Sequence, residues 1–369
     1  MTRFAGRAPL VDRLDVSVYA VPTDAPESDG TFAWDQTTMV LVRVGSGQAT
    51  GLGFTYADKA TAALIADRLA PLVKGRDATA IQGTWRAMVQ SIRNLGRPGI
   101  CSMAISAVDV ALWDLKARLF DVPLASLLGQ ARERVPVYGS GGFTSYSLEK
   151  LREQLGGWVA QGIKRVKMKV GRAPGEDLAR VAAAREAIGP DAELFVDANG
   201  AYSRKQALSF AQEFAEQGVT WFEEPVSSDD LPGLRLLRDR GPAGMAVAAG
   251  EYGYDAFYFQ RMVEAGAVDV LQADATRCGG ITGFLQAAEV CEAYGIPLSA
   301  HTAPAVHLHV GCAAPRVLHL EYFHDHARIE QMLFEGAQQP REGALKPDAL
   351  RPGLGLEFKE ADARKFAVV

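Results

Sequence analysis

From Val135 onward the chain alternates short apolar runs with longer stretches of helical period. The short runs are VPVYGS, KRVKMKV, ELFVDAN, TWFEEP, MAVAAGE, VDVLQAD, PLSAH and VLHLE. Between them lie stretches such as LEKLREQLGGWVAQG, GEDLARVAAAREAIG, RKQALSFAQEFAEQG and ITGFLQAAEVCEAYG, whose apolar residues recur at helix spacing. Each of these ends in Gly, the residue favoured just past a helix C-terminus. Strands alternating with helices predict a parallel α/β sheet. No GxGxxG follows the first of these strands, so a closed barrel over 131–323 is preferred to an open doubly wound sheet.

The first part of the chain differs. LDVSVYAV and TTMVLVRVGSG alternate as strands, and PTDAPESDGTFAWD between them is polar and breaker-rich, which reads as a loop. TAALIADRLAPLVKG, IQGTWRAMVQSIRN and SMAISAVDVALWDLKARLF predict helices, the last with apolar faces broad enough for burial. Residues 1–130 are therefore expected to form an α+β unit. The tail from about Phe323 reads as irregular, with one strand candidate at GLEFKE, and is expected to pack back on that unit.

The predicted strands share a second pattern. Lys169, Asp197, Glu223, Glu251, Asp274, His301 and Glu321 each sit at or just past the end of an apolar run, in steps of 28, 26, 28, 23, 27 and 20 residues. In a (β/α)8 barrel, the C-terminal ends of successive strands converge on one mouth, where active sites lie. Any one of these acids alone reads equally well as a solvated strand end or a helix cap. Three at successive strand ends read as a metal site, because Asp197, Glu223 and Glu251 would repel one another without a cation. Hard carboxylate oxygens suit Mg²⁺.

Lys167 and Lys169 fall on one face of their strand by alternation, so both point into the barrel. A buried lysine beside another cation has a depressed pKa and can act as a base. Asp274 can hold the ring of His301 in one tautomer, making His301 a second acid/base candidate. A carboxyl group kept protonated at Glu321 could donate a hydrogen bond to substrate, although the run Tyr322–His326 also reads as polar surface. All six histidines lie at or after position 301, which argues against hydrolases with an HxH pair on the first strand. His307 and His309 do read HxH, but in an apolar helical stretch that favours packing. A cation flanked by two bases suits removal of a proton beside a carboxylate.

Composition adds exclusions. A net charge of -5 gives no reason to expect nucleic acid or an anionic membrane as partner, and no apolar run reaches membrane-spanning length. The N-terminal segment MTRFAGRAPLVDRLDVSVYAV carries charges too closely spaced for a signal-peptide core. Cys101, Cys278, Cys291 and Cys312 form no CxxC pair, which fits reduced thiols and a cytoplasmic location.

Taken in order, SMAISAVDVALWDLKAR, VKMKVG, FVDANGAY, WFEEP, AGE, LQADATRCGGIT, PLSAH and HLE resemble the motifs of the enolase superfamily, in its mandelate racemase-like subgroup. The resemblance covers nearly the whole chain. It implies a modified (β/α)7β TIM-type barrel under an α+β capping domain that the C-terminal segment 324–369 completes. It implies Mg²⁺ on Asp197, Glu223 and Glu251, and bases at Lys169 and the His301–Asp274 dyad. Lys167 would assist at the substrate carboxylate, and Glu321 would donate a hydrogen bond. Asn199 is expected to contact substrate. Glu224 is less expected to, because its side chain should point away on a regular strand. The segment Pro22–Asp35 resembles a mobile closing loop, which makes Asp24, Phe32 and Trp34 specificity candidates. Relatives often carry a basic residue at the position of Arg277.

The substrate is expected to be a small carboxylate, and family habit suggests a homo-oligomer. Dehydration of an aldonate, aldarate or uronate to a 2-keto-3-deoxy acid ranks first, since Asn199, Tyr138, Ser140, Thr302 and Tyr322 suit a polyhydroxylated acid. Racemisation or epimerisation of a 2-hydroxy acid and cycloisomerisation of a sugar lactone are the alternatives. A catalytically inactive barrel is the non-enzyme alternative.

Overall fold

A computed structural model describes residues 8–368 of the protein; the start of the charged N-terminal segment, residues 1–7, lies outside it. Strands β1 (Arg13–Ser28), β2 (Ala33–Ser46) and β3 (Ala49–Tyr56) form an antiparallel sheet in the order β1-β2-β3. Helices α1 (Ile81–Ser91) and α2 (Ile100–Leu119) follow. Most of α2 is buried, as its broad apolar faces require, and it lies on β3 with no side chain between them at Gly51 and Gly53. A Cβ at either glycine would run into the α2 backbone at Ala107, Ala111 or Leu115.

The second domain is a closed parallel barrel. Its strands are β4 (Val135–Gly141), β5 (Arg165–Lys169), β6 (Glu193–Asp197), β7 (Val219–Glu223), β8 (Ala246–Ala249), β9 (Val270–Ala273), β10 (Leu298–Ala300) and β11 (Val317–Phe323). Each pairs with the next, and β11 closes on β4. Between strands run α3 (Leu148–Ala160), α4 (Pro174–Ile188), α5 (Arg204–Glu216), α6 (Leu231–Arg240), α7 (Ala256–Glu264), α8 (Gly280–Tyr294) and α9 (Pro304–Ala313). That is the expected (β/α)7β barrel with a capping domain. Outward residues such as Val166, Met168, Leu194 and Phe222 pack against the helix ring. Inward, Tyr138, Phe195, Trp221, Ala248 and Val270 fill the barrel with a separate plug. Among the described residues, no helix is long and apolar enough to cross a membrane.

Two expectations are corrected. The segment Pro22–Asp35 is not a loop: β1 and β2 continue through most of it, with Glu27 opposite Trp34 and Ser28 opposite Ala33. Its polar composition hid a hairpin whose tight turn is closed by the Asp29 side chain, where Oδ1 accepts from the N–H groups of Thr31 (2.6 Å) and Phe32 (2.7 Å). An irregularity between Pro22 and Glu27 accommodates the prolines.

The tail does not begin irregularly either. Residues His324–Leu333 form a helix, α10. Its buried face carries Asp325, His326 and Glu330 beside Ala327, Ile329 and Leu333, so it shows no apolar stripe in the sequence. The GLEFKE candidate does pair, Glu357–Phe358 against Phe334–Glu335. The tail then reaches the capping sheet, where Val368 N–H donates to Val18 O at 2.9 Å.

Candidate active site

The barrel register brings the predicted charges to one level. Lys169 lies opposite Asp197, and Asp197 opposite Glu223, on three neighbouring strands. Glu251 follows β8 through Gly250, whose φ of +136° and contact with the Gln272 backbone leave no room for a Cβ. The turn points Glu251 back over the strand ends. One carboxylate oxygen from each of Asp197, Glu223 and Glu251 lies within 4.8 Å of the others, and all three residues are buried. Lys169, Glu251, Asp274, His301 and Glu321 line a cavity of about 590 Å³ between barrel and capping domain.

The lysines are bound into this cluster. Lys167, fully buried, contacts Glu223, Glu321 Oε1 (2.9 Å) and Asp197 Oδ2 (3.4 Å). Lys169 Nζ lies 2.5 Å from Asp197 Oδ2. Burial alone would lower the lysine values, but these carboxylates outweigh it and hold both well above the ordinary range. The depressed pKa expected for Lys169 is therefore corrected: Asp197 stabilises the ammonium more than Lys167 repels it. Glu321 is corrected as well. Burial favours its neutral form, yet Lys167, His301 and Lys169 pull it down to about 2, so it is ionised and accepts. One of its oxygens takes the Thr302 N–H at 3.1 Å.

On the other side of the mouth, His301 Nδ1 lies 2.9 Å from Asp274 Oδ2. Burial disfavours the Asp274 charge, but His301 and the Thr276 N–H and O–H (both 2.7 Å, to Oδ1) sustain it, with the His301 bond the largest downward cause. An ionised carboxylate only accepts, so the ring proton sits on Nδ1. Nε2 then faces Glu251 Oε2 at 3.4 Å and Glu321 Oε2 at 3.7 Å. Thr302 and Ala303 follow with φ of +51° and +37°, two successive left-handed residues without glycine, where strain is common near functional groups. His307 holds this turn: its Nε2 accepts from Ala275 N–H (2.8 Å) and its Nδ1 donates to Thr302 O (2.8 Å). His309 bonds the Ala125 N–H and Leu354 O, so both HxH residues are buried and serve the backbone.

The donor set fits a divalent cation. Glu251 Oε2 is buried without a hydrogen-bond partner. Burial and neighbouring carboxylates push Glu223 and Glu224 well above the usual range, the signature of negative charge that the lysines do not fully balance. Glu224 was expected to point away from the mouth. Its φ of +38° breaks the strand alternation, and its side chain is buried within reach of Glu251 and Asp197 charge. The doubled Glu of WFEEP was the only sequence signal for it.

Other candidates divide. Asn199 lines the cavity, its N–H bound to Asp197 Oδ1 at 2.9 Å. Arg277 lines it too, with Nη1 3.1 Å from Glu251 O and 3.3 Å from its Oε1. Phe32, Trp34 and Thr302 are also lining residues, and the Trp34 indole donates to Glu27 Oε2 at 2.8 Å. Tyr138 and Ser140 are not: both are fully buried, with Tyr138 in the barrel plug and Lys167 Nζ 5.3 Å over its ring. Tyr322 points outward and its hydroxyl accepts from Gln331 Nε2 at 2.6 Å. Asp24 lies off the cavity, paired with His324 at 2.9 Å. Phe323, Asp325 and His326 are buried, so the polar-surface reading of that run is corrected. The capping wall (Gln36, Thr37, Thr38, Tyr56 and Asp58) had no signal in the sequence, because sheet pairing alone carries it to the barrel.

Residues 150–362 match the family described as enolase C-terminal domain-like, and residues 14–129 match the mandelate racemase/muconate lactonizing enzyme N-terminal domain. A mandelate racemase/muconate lactonizing enzyme-like protein from Rubrobacter xylanophilus superposes with a TM-score of 0.96 at 58% identity, covering 98% of this chain and 100% of that one. The 3,6-anhydro-alpha-L-galactonate cycloisomerase of Streptomyces coelicolor is 33% identical over 85% of this chain and 88% of its own length. The L-talarate/galactarate dehydratase of Salmonella typhimurium is 32% identical over 85% of this chain and 78% of its own. Its structure liganded with Mg and L-lyxarohydroxamate has a TM-score of 0.90 at 28% identity, covering 100% of this chain and 95% of that one. By domain match, sequence and fold alike, the chain belongs to the mandelate racemase/muconate lactonizing enzyme family of the enolase superfamily.

Proposed function

We propose that the protein abstracts the proton beside the carboxylate of an acid sugar and eliminates the β-hydroxyl, giving a 2-keto-3-deoxy acid. It is a lyase or isomerase of the enolase superfamily. The observation that carries the reading is the flanking of one buried three-carboxylate cluster by two proton-transfer groups, Lys169 beside Asp197 and His301 beside Glu251. Asp197, Glu223 and Glu251 would hold Mg²⁺, in keeping with the Mg in the liganded dehydratase. When bound, the cation supplies positive charge against the substrate carboxylate, where the charge of the α-anion collects.

The chain's own groups do the rest. Lys169 would share Asp197 with that cation and, as the free amine, would serve as base on one face. His301 Nε2, its tautomer held by Asp274, serves the opposite face. One group takes the α-proton. The other, protonated, gives a proton to the departing β-hydroxyl, which leaves as water, and the enol formed tautomerises to the ketone. Lys167 and Glu321 form a buried ion pair (2.9 Å) beside the carboxylate cluster that balances its charge. Cycloisomerisation is the second reading, favoured by the cycloisomerase among the relatives: there the β-oxygen belongs to a ring and leaves without loss of water.

Lys169→Ala and His301→Asn should each retain Mg²⁺ binding by calorimetry and lose turnover by about 10²–10⁴-fold. Protein that binds no divalent ion, or either variant with near-normal turnover, would sink the reading.

A further inference from the structure

The cavity has two walls of different character: the barrel wall mixes cations with Glu251, Asp274 and Glu321, and the capping wall, among the described residues, carries no cation. Lys169, Arg277 and His301 belong to the barrel wall. The capping wall offers Asp29, Gln36, Thr37, Thr38 and Asp58, and among the described residues no lysine or arginine of the capping domain lines the cavity. Arg277 is already engaged with Glu251 and Asp274. His326, the remaining basic side chain of the lining, is neutral because burial lowers it to about 3.

A carboxylate at the reacting end would therefore meet Lys169, His301 and the cation that the carboxylate cluster would hold. A second carboxylate at the other end of the same molecule would meet hydroxyls, an amide and two aspartates. Like charges facing each other across a partly closed site discriminate strongly, as does a buried charge left unpaired. Size does not decide the matter, since about 590 Å³ exceeds the need of any six-carbon acid. Hydroxyl and amide side chains both donate and accept, which suits a hydroxylated chain. The Phe32–Trp34 ring pair, with centroids 6.2 Å apart, gives its C–H faces an apolar edge.

We infer that the substrate is a monocarboxylic polyhydroxy acid, open-chain or anhydro, whose uncharged end meets the capping wall, and that Asp29 and Asp58 select against diacids. This rests on the proton abstraction proposed above. The test pairs each six-carbon aldonate with the aldarate of the same configuration, with mandelate as an aryl probe. The readouts are α-deuterium exchange in D₂O and semicarbazide-reactive keto acid.

The best aldonate should exceed its aldarate in kcat/KM by at least about tenfold, the scale of a misplaced charge. Asp58→Asn and Asp29→Asn keep the acceptor oxygens that cap Ala60 and the hairpin turn. They should narrow the ratio several-fold by raising the aldarate value. Calorimetric binding of both acids to Mg²⁺-loaded His301→Asn protein should give the same order without turnover. An aldarate or mandelate preferred over every aldonate would overturn the inference while leaving proton abstraction intact. An unchanged ratio in both aspartate variants would overturn their assigned role. Absence of exchange with every acid would overturn the proton-abstraction reading and this inference with it.

Discussion

An imidazole whose Nδ1 proton is held by an ionised Asp274 can accept a second proton only at Nε2, and that atom faces the cavity. Asp274→Asn removes the acceptor-only partner, so both ring orientation and tautomer become ambiguous. Turnover should fall by about 10²-fold, with Mg²⁺ affinity close to wild type by calorimetry. Glu27 is a different case. Burial first, then Asp325, pushes its carboxyl up from 4.5 to about 8, while the Trp34 N–H opposes the shift. The folded chain thus keeps a proton that the unfolded chain releases. The stability this contributes is full below about 4.5 and is lost as pH rises through 8. Glu27→Gln keeps an acceptor for Trp34 but cannot ionise. Relative to wild type it should gain stability between pH 5.5 and 8, by at most about 1.4 kcal/mol per pH unit. Urea unfolding of both proteins at the two pH values checks this, and a constant difference would refute it.

At the scale of elements, the capping domain depends on how closely β3 meets α2. Gly53→Ala places a methyl against the backbone of Ala107 and Ala111, where no rotamer can relieve it. It should cost about 2–3 kcal/mol. The same substitution at Gly83, exposed inside α1 with open space around it, should stabilise by about 0.5–1 kcal/mol. Denaturant midpoints of the two variants should move in opposite directions. The barrel elements were legible because each strand and its helix carry their own period, with β5 burying Val166 and Met168 outward and Lys167 and Lys169 inward. The hairpin and α10 were not legible. Their buried faces hold Glu27, Asp325, His326 and Glu330, and polar burial leaves no hydrophobic period to read.

At the scale of the molecule, one carboxylate ties three distant segments. Asp114 on α2 accepts from the Leu52 N–H of β3 (2.7 Å), the Leu354 N–H of the tail (2.5 Å) and Arg118 Nε (2.8 Å). Arg118 in turn reaches Glu357 at 2.7 Å. Breaking this node at the fully buried Asp114 by Asp114→Ala should cost about 3–5 kcal/mol. It should also expose the C-terminal segment to limited proteolysis before the barrel. Loss of stability without earlier cleavage of the tail would show that the node does not anchor it.

The order and spacing of Lys169, Asp197, Glu223, Glu251, Asp274, His301 and Glu321 were set by the sequence alone, because a parallel barrel turns chain period directly into position around one mouth. Charge states were not. Lys169 pairs with Asp197, and Lys167 with Glu321, on strands that only barrel closure and strand pairing bring together. The capping wall likewise follows from sheet pairing and from α2 packing on β3, contacts between residues far apart in the chain. Local period determines which groups reach the mouth; the fields and surfaces that groups impose on one another through space decide what each can do there.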